Sequence, residues 1–168
     1  RRETWRVGES AFAVLLLLFG TSMLDGFYGS YYNLNQLVFD AFDAPVSIIG
    51  IFFGASYAVN ATAYIAADFF SSRFGKRNTM LGSMLIEAGL FMILPWFASN
   101  PLCLFGLSMV LCFLPEVVYI TSENLIQDAI ADDLRATILS IASLVRALFS
   151  AMFFSIFGYV LGLYPIQI

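Results

Sequence analysis

Five long apolar stretches, separated by short polar segments, divide the chain. Each meets the length of about 17–25 residues that an α-helix needs to cross the hydrocarbon of a bilayer. Runs such as AVLLLLFG are apolar on every side, and the alternating pattern of a membrane β-barrel is absent. The pattern predicts a single all-α transmembrane domain over 1–168, a polytopic helical bundle. Its five predicted spanning helices are 11–36, 46–70, 80–97, 102–121 and 137–163.

The composition agrees with a lipid environment. Of the 168 residues, 60% are hydrophobic and 12% are charged, against roughly 45–50% and roughly 25% in soluble domains. The net charge is −4 with no large basic patch, which argues against nucleic acid as a partner. The chain has no His, which removes His-dependent catalytic triads and His metal sites. We expect no cofactor and no metal.

Basic residues gather in SSRFGKRN, residues 71–78, between the second and third predicted helices. With a cytoplasmic N-terminus, the links around Asp43 and Asn100 lie outside and carry no Lys or Arg, a positive-inside pattern. The sequence thus predicts the N-terminus inside and the C-terminus outside, with Arg146 inside the fifth helix. The residues placed inside are Arg1, Arg2, Arg6, Arg73, Lys76, Arg77 and Arg135.

The same basic segment resembles the loop motif of the major facilitator superfamily, which is close to G-x-x-x-D-R-x-G-R-R. The matching positions are Arg73, Gly75, Lys76 and Arg77. Asp68 stands where that motif has its glycine, and Ser72 stands where it has its aspartate. DDLRATILSIASL, residues 132–144, is similar to the entry to the eleventh helix of many bacterial members, where RAT-x-x-S recurs.

The resemblance implies half of a major facilitator fold, the C-terminal half with helices seven to eleven, in a bacterial inner membrane. Its partners would be the lipid bilayer, the remaining half of the same permease and a small-molecule substrate, with protons as a further candidate. In that family two halves rock about a central site. The first and fourth helices here would line the cavity, which makes Asp25, Tyr28, Tyr32, Glu116 and Tyr119 substrate-side candidates.

Polar side chains within the predicted helices mark the candidate site, because they are costly in lipid. On the first helix, one stripe follows a 3, 4, 4 spacing. Gly26 and Gly29 interrupt this segment and predict a bend or a close approach to a neighbour. The stripe consists of Asp25, Tyr28, Tyr32 and Gln36.

On the second helix, a face with i+4 spacing either lines a cavity or joins helices through polar contacts. It consists of Ser56, Asn60, Tyr64 and Asp68. The third helix carries one acid, Glu87, for which packing or a salt bridge is favoured.

The fourth and fifth helices carry the remaining intramembrane charges. Glu116, Tyr119 and Glu123 share a face of the fourth helix after a kink predicted at Pro115. Arg146 requires an anion, which is a protein carboxylate or a ligand. Glu116 and Arg146 lie at about the same predicted depth in the membrane, on helices that follow each other in the chain, so Glu116 is the predicted partner of Arg146. Glu87 lies at a similar depth and is the rival partner.

The sequence therefore predicts part of a secondary active transporter, a permease that moves a small molecule by alternating access as a symporter or antiporter. Proton coupling is an open option, because desolvation favours the neutral form of a carboxylic acid. The alternative is a non-transporting membrane scaffold or receptor. An intramembrane enzyme is disfavoured: a rhomboid-type serine site lacks its His, and Asp25 lies in LDGF rather than in the paired YD and GxGD motifs of an aspartyl protease.

Overall fold

The computed structural model describes residues 7–41, 45–97, 100–130 and 132–163. These residues form five α-helices and no strand, and every helix is long and apolar enough to span a bilayer. Each predicted span lies within one of them, so the all-α bundle predicted from hydropathy is confirmed. The helices are α1 (Val7–Ala41), α2 (Val46–Phe74), α3 (Lys76–Phe97), α4 (Pro101–Ala129) and α5 (Asp132–Leu163).

The helices are longer than hydropathy predicted, and the links are correspondingly shorter. The basic segment 71–78 is not an extended loop: α2 ends at Phe74 and α3 begins at Lys76. Gly75 alone separates them, with a φ of 83°, a left-handed conformation that favours glycine. The segment 127–136 is also largely helical. The predicted helix bounds were too short here because hydropathy marks only the part of a helix that lies in hydrocarbon.

Helix α4 is the centre of the bundle. It packs against α1, α2 and α3, whereas α5 packs mainly along α1. Ala63 and Ala67 of α2 are buried against Val117 of α4, and such small side chains let two helix backbones approach closely. The pattern makes α4 the helix through which α2 and α3 are joined to α1.

Two apolar clusters lie toward the two ends of the bundle. We call the end with Gly75 and the start of α5 the basic end. Toward that end, Leu18, Ile126 and Ala142 join α1, α4 and α5. At the opposite end, Phe39 and Phe52 pack with Leu104 and Cys112 of α4. Several further aromatic rings reinforce this second cluster: Tyr32, Phe53 and Phe105.

The outer surface of the bundle is strongly apolar. Trp96 is 77% exposed and Leu102 is 83% exposed, and large apolar side chains of α5 are exposed along most of its length. Soluble monomers rarely expose contiguous apolar patches of this kind, whereas lipid covers them without cost. The chain is therefore an integral membrane protein.

Gly26 allows the closest contact between α1 and α5. A β-carbon at this position would lie 2.8 Å from the backbone nitrogen of Ser150 and 2.7 Å from the β-carbon of Phe149. One turn later the Ser30 hydroxyl donates to the carbonyl oxygen of Ser150 at 3.3 Å. Gly29 faces open space, and α1 continues unbroken past both glycines. The predicted close approach is confirmed for Gly26.

We expect Gly26→Ala to destabilise the protein, because the added methyl meets the α5 backbone rather than a movable side-chain end. Overpacking of this kind costs about 1–3 kcal/mol. The matched control is Gly29→Ala on the same helix, which should be neutral or stabilising by up to about 1 kcal/mol. Thermal unfolding in one detergent compares the two variants with the parent protein. Equal effects of the two substitutions would contradict the contact.

The predicted membrane orientation can be tested on the two ends of α2. Arg1, Arg2, Arg6 and Asp43, on which part of that prediction rests, lie outside the described residues. Val46 and Ser72 are exposed near opposite ends of this helix. Asn100 is less suitable for substitution because its side chain caps α4, accepting from the backbone nitrogens of Leu102 and Cys103.

In a background without Cys103 and Cys112, a single cysteine at position 46 should react with an impermeant thiol reagent added outside intact cells. A cysteine at position 72 should react only after the membrane is permeabilised. The reason is that the basic end is expected to face the cytoplasm. The opposite labelling pattern would overturn the orientation.

Candidate functional site

An intramembrane charge cluster joins α1, α4 and α5. Arg146 Nε lies 2.6 Å from Asp25 Oδ2, and Arg146 Nη2 lies 3.6 Å from Glu123 Oε1. The guanidinium carbon lies 4.4 Å from the centroid of the Tyr119 ring. The Tyr119 hydroxyl donates to Glu123 Oε1 at 2.6 Å. We call these four residues, Asp25, Tyr119, Glu123 and Arg146, the Arg146 cluster.

The contacts of the cluster follow from local helix geometry. Tyr119 and Glu123 are four residues apart, so both project from one face of α4. Asp25 directly precedes Gly26, where α1 and α5 approach most closely, and Arg146 lies one turn before the Phe149–Ser150 contact. The long Arg146 side chain therefore reaches both α1 and α4 from its place on α5.

The electrostatics of the cluster are not balanced by Arg146 alone. Its guanidinium faces two carboxylates, Asp25 and Glu123, and all three side chains are between 26% and 30% exposed. A cation over an aromatic face adds about 0.5–2 kcal/mol of attraction, depending on desolvation. With every acid ionised, the cluster has an excess of negative charge, which favours the binding of a further cation or proton.

The predicted ion pair between Glu116 and Arg146 is not observed. Among the described residues, the carboxylates within 4 Å of Arg146 are those of Asp25 and Glu123. The prediction placed α4 and α5 side by side because they are consecutive, but α5 packs mainly on α1. The fourth helix was also predicted to end at residue 121, whereas α4 continues to Ala129. Of the two kinds of anion that the sequence allowed for Arg146, a protein carboxylate or a ligand, the structure shows carboxylates, those of Asp25 and Glu123.

A small cavity lies next to the cluster. Its volume of about 10 Å³ is close to the minimum that holds one water molecule. It brings Glu87 of α3 next to Asp25, Tyr119 and Arg146, although Glu87 was expected to serve packing or a salt bridge. The lining residues are Thr21, Leu24, Asp25, Glu87, Pro115, Val118, Tyr119 and Arg146.

A wider cavity opens between α2 and α4 toward the basic end. Its volume is about 350 Å³, within the range of about 300–1,000 Å³ of small-molecule sites. Tyr119 lines both cavities, and Glu123 connects the wider one to Arg146. The lining residues are Tyr64, Asp68, Tyr119, Ile120, Glu123 and Asn124.

The four residues of the predicted stripe on α1 lie in different environments. Asp25 belongs to the Arg146 cluster. Tyr28 is buried, and its ring centroid lies 6.2 Å from that of Tyr32. The Tyr32 hydroxyl lies 2.7 Å from the Ser56 hydroxyl, which links α1 to α2. Gln36 is exposed. Only the first member of the stripe therefore joins the charge cluster.

The polar face of α2 performs both roles that its spacing allowed. Ser56 bonds to α1, and the Asn60 amide is placed to donate to the Cys112 carbonyl oxygen of α4 at 2.9 Å. Tyr64 and Asp68, closer to the basic end, line the wider cavity. The face thus joins helices in its first half and borders the cavity in its second.

The basic segment 71–78, which we call the basic turn, is connected to the end of α4. Lys76 Nζ forms an ion pair with Asp128 Oδ2 at 2.5 Å. Arg73 and Arg77 are exposed, and Asp68 lies in the cavity wall two turns before the end of α2. Lys76 is therefore the motif residue for which the structure gives a cross-helix partner.

The sequence did not predict Glu87, Glu123 or Asn35 as substrate-side residues. It did place Glu123 on one face of the fourth helix with Tyr119, one turn before it, and it named Glu87 as a rival partner of Arg146. Asn35 is buried and accepts from the Ser108 hydroxyl of α4 at 3.2 Å, a contact that no spacing rule indicates. Glu87 is a lone acid on its helix, so only tertiary structure relates it to Asp25.

Comparisons with protein-family models, with curated proteins and with solved structures found no match to this chain.

A double-mutant cycle tests the pairing of Asp25 with Arg146. Asp25→Asn and Arg146→Gln each leave one charge without its partner, so each should lower thermal stability. The double variant should be more stable than additivity predicts, with a coupling of about 0.5–3 kcal/mol, as for other contacting residues. The matched control pairs Glu116→Gln with Arg146→Gln, and its effects should add. Coupling in the control and additivity in the Asp25 cycle would restore the Glu116 pairing.

Proposed function

We propose that the chain is part of a secondary active transporter that moves a small molecule across a membrane by alternating access. The observation that carries the proposal is the Arg146 cluster beside a cavity of about 350 Å³ within the spanning helices. Ionisable residues at membrane depth are costly, and they characteristically mark substrate or ion pathways. The basic-turn and RAT-x-x-S resemblances to major facilitator permeases support the same function.

Transport by this mechanism requires a binding site that is closed on one side at a time. The bundle is packed by aromatic rings at the end opposite the basic turn, while the wider cavity lies toward the basic end. Substrate would enter beside Tyr64 and Asp68 and reach Tyr119 and Glu123, which are in contact with Arg146. A change of carboxylate partner at Arg146 would then connect substrate binding to movement of α5.

The proposal places the basic end in the cytoplasm of a bacterial cell, with the second half of the same permease facing the cavity. A central site in such transporters is built between two repeats. The competing function is a membrane scaffold or receptor, in which the same ion pairs only hold helices together. The two functions differ in whether the protein supports solute flux.

We expect the 168-residue chain alone to support no flux in liposomes, because it lacks the opposing wall of the cavity. The whole permease that we propose, with both halves, should accumulate at least one labelled metabolite when it is assayed by counterflow against a panel of them. Arg146→Gln should lower that rate about tenfold or more, which corresponds to about 1.4 kcal/mol.

The matched control is Arg77→Gln, which removes an exposed cation of the basic turn and should leave the rate within about twofold, since surface charges contribute little energy. Flux through the isolated chain would contradict the requirement for a second half. Absence of flux for the intact protein across the whole panel would favour the scaffold or receptor.

A further inference from the structure

Glu87 is the most deeply buried acid among the described residues. It is 6% exposed, and the described part of the chain gives its carboxyl group no hydrogen bond and no ion pair. The buried side chains of Ser30 and Asn35 have hydrogen-bond partners, whereas the buried hydroxyls of Tyr28, Thr79 and Thr121 have none among the described residues. Buried carboxyl groups are normally paired, so an unpartnered one requires a specific explanation.

The surroundings of Glu87 do not offer it a free cation. It lines the small cavity together with Asp25 of α1, Tyr119 of α4 and Arg146 of α5, and α2 lines no part of it. Arg146 is already in contact with Asp25 and Glu123. An ionised Glu87 would therefore face more carboxylates than cations.

A metal ion is a poor solution to this excess of negative charge. The described residues contain no group of three or more Asp, Glu, Cys or His side chains placed to hold one. A proton requires only a single carboxylate oxygen and removes the charge completely. The small cavity has room for about one water molecule beside Glu87, which can accept that proton.

We infer that Glu87 is a proton-binding site, a carboxylic acid whose neutral, protonated form lies beside the Asp25–Arg146 ion pair in the lining of the small cavity. When Glu87 releases its proton to a water molecule in the small cavity, the O–H bond breaks and the carboxylate keeps the electron pair. It then competes with Asp25 for the Arg146 guanidinium. Proton release would in this way change the contact between α5 and α1.

The site deepens the proposed function, because it names the residue that would carry a coupling proton, and its coupling role rests on that function. Proton binding itself can be measured without transport. The readout is the carboxylic-acid C=O band in infrared difference spectra, recorded on the intact polypeptide in lipid nanodiscs between acidic and alkaline buffer.

The wild-type protein should show a buried carboxylic-acid band at neutral pH that exchanges in D₂O. Glu87→Gln should remove it, while the matched acid-to-amide control Glu116→Gln should retain it. Asp25→Asn should weaken the band at neutral pH, because it frees Arg146 to pair with an ionised Glu87. Glu87→Gln has the shape and the charge of the protonated acid, so this variant should fold like the parent in size-exclusion chromatography.

Persistence of the band in Glu87→Gln, or a Glu87→Gln protein that does not fold, would overturn the inference. A band that Glu87→Gln removes, in a protein that moves no solute, would leave the proton site in place and reject the transporter. Solute flux in a protein that shows no such band would support the transporter and reject the proton site.

Discussion

The charge of Arg146 is the constraint on which this bundle depends. An arginine within a spanning helix costs about 2.5–3.5 kcal/mol on insertion scales unless it finds a partner. Helix α5 contacts the rest of the bundle mainly along α1, and Ala142 is the one buried residue among those of α5 whose burial is described. The contacts of Arg146 with Asp25 and Glu123 therefore fix α5 against two other helices at once. The Gly26 contact makes this possible by bringing the α1 and α5 backbones together beside the ion pair.

The two ends of the bundle are built differently. Toward the end opposite the basic turn, aromatic packing is supplemented by hydrogen bonds from Tyr32 to Ser56 and between Asn35 and Ser108. Toward the basic end, the wider cavity lies between α2 and α4, and Lys76 joins α3 to the end of α4. Such a difference in packing is what a site open to one side requires, and the Arg146 cluster lies beside the cavity.

Hydropathy was sufficient to predict the helices, because each span is an unbroken apolar run that lipid forces into helical hydrogen bonding. It could not predict that Lys76 begins a helix, since polar residues continue a helix beyond the hydrocarbon. The sequence also indicated that Arg146 needs an anion. It could not identify Asp25, because the order in which helices pack is a property of the whole bundle, and the assumption that neighbours in the chain are neighbours in space pointed to Glu116.

Glu87 was not predicted as a site residue for the same reason. A single acid on an apolar helix has no spacing partner, so its significance comes only from the cavity that it shares with Asp25 and Arg146. Residues whose contacts lie on their own helix, such as Tyr119 and Glu123, could be grouped from the sequence. Residues whose contacts cross between helices could not.

The contact between Asp25 and Arg146 can be measured directly by solid-state NMR in lipid bilayers. The protein would carry ¹³C at aspartate carboxyl groups and ¹⁵N at arginine Nε, with the Asp25 signal assigned by its loss in Asp25→Asn. We expect strong ¹³C–¹⁵N dipolar dephasing of the Asp25 carboxyl signal, because Oδ2 lies 2.6 Å from Arg146 Nε. This dephasing should disappear in Arg146→Gln. An Asp25 signal that does not dephase, with dephasing instead at Glu116 in glutamate-labelled protein, would contradict the contact between Asp25 and Arg146.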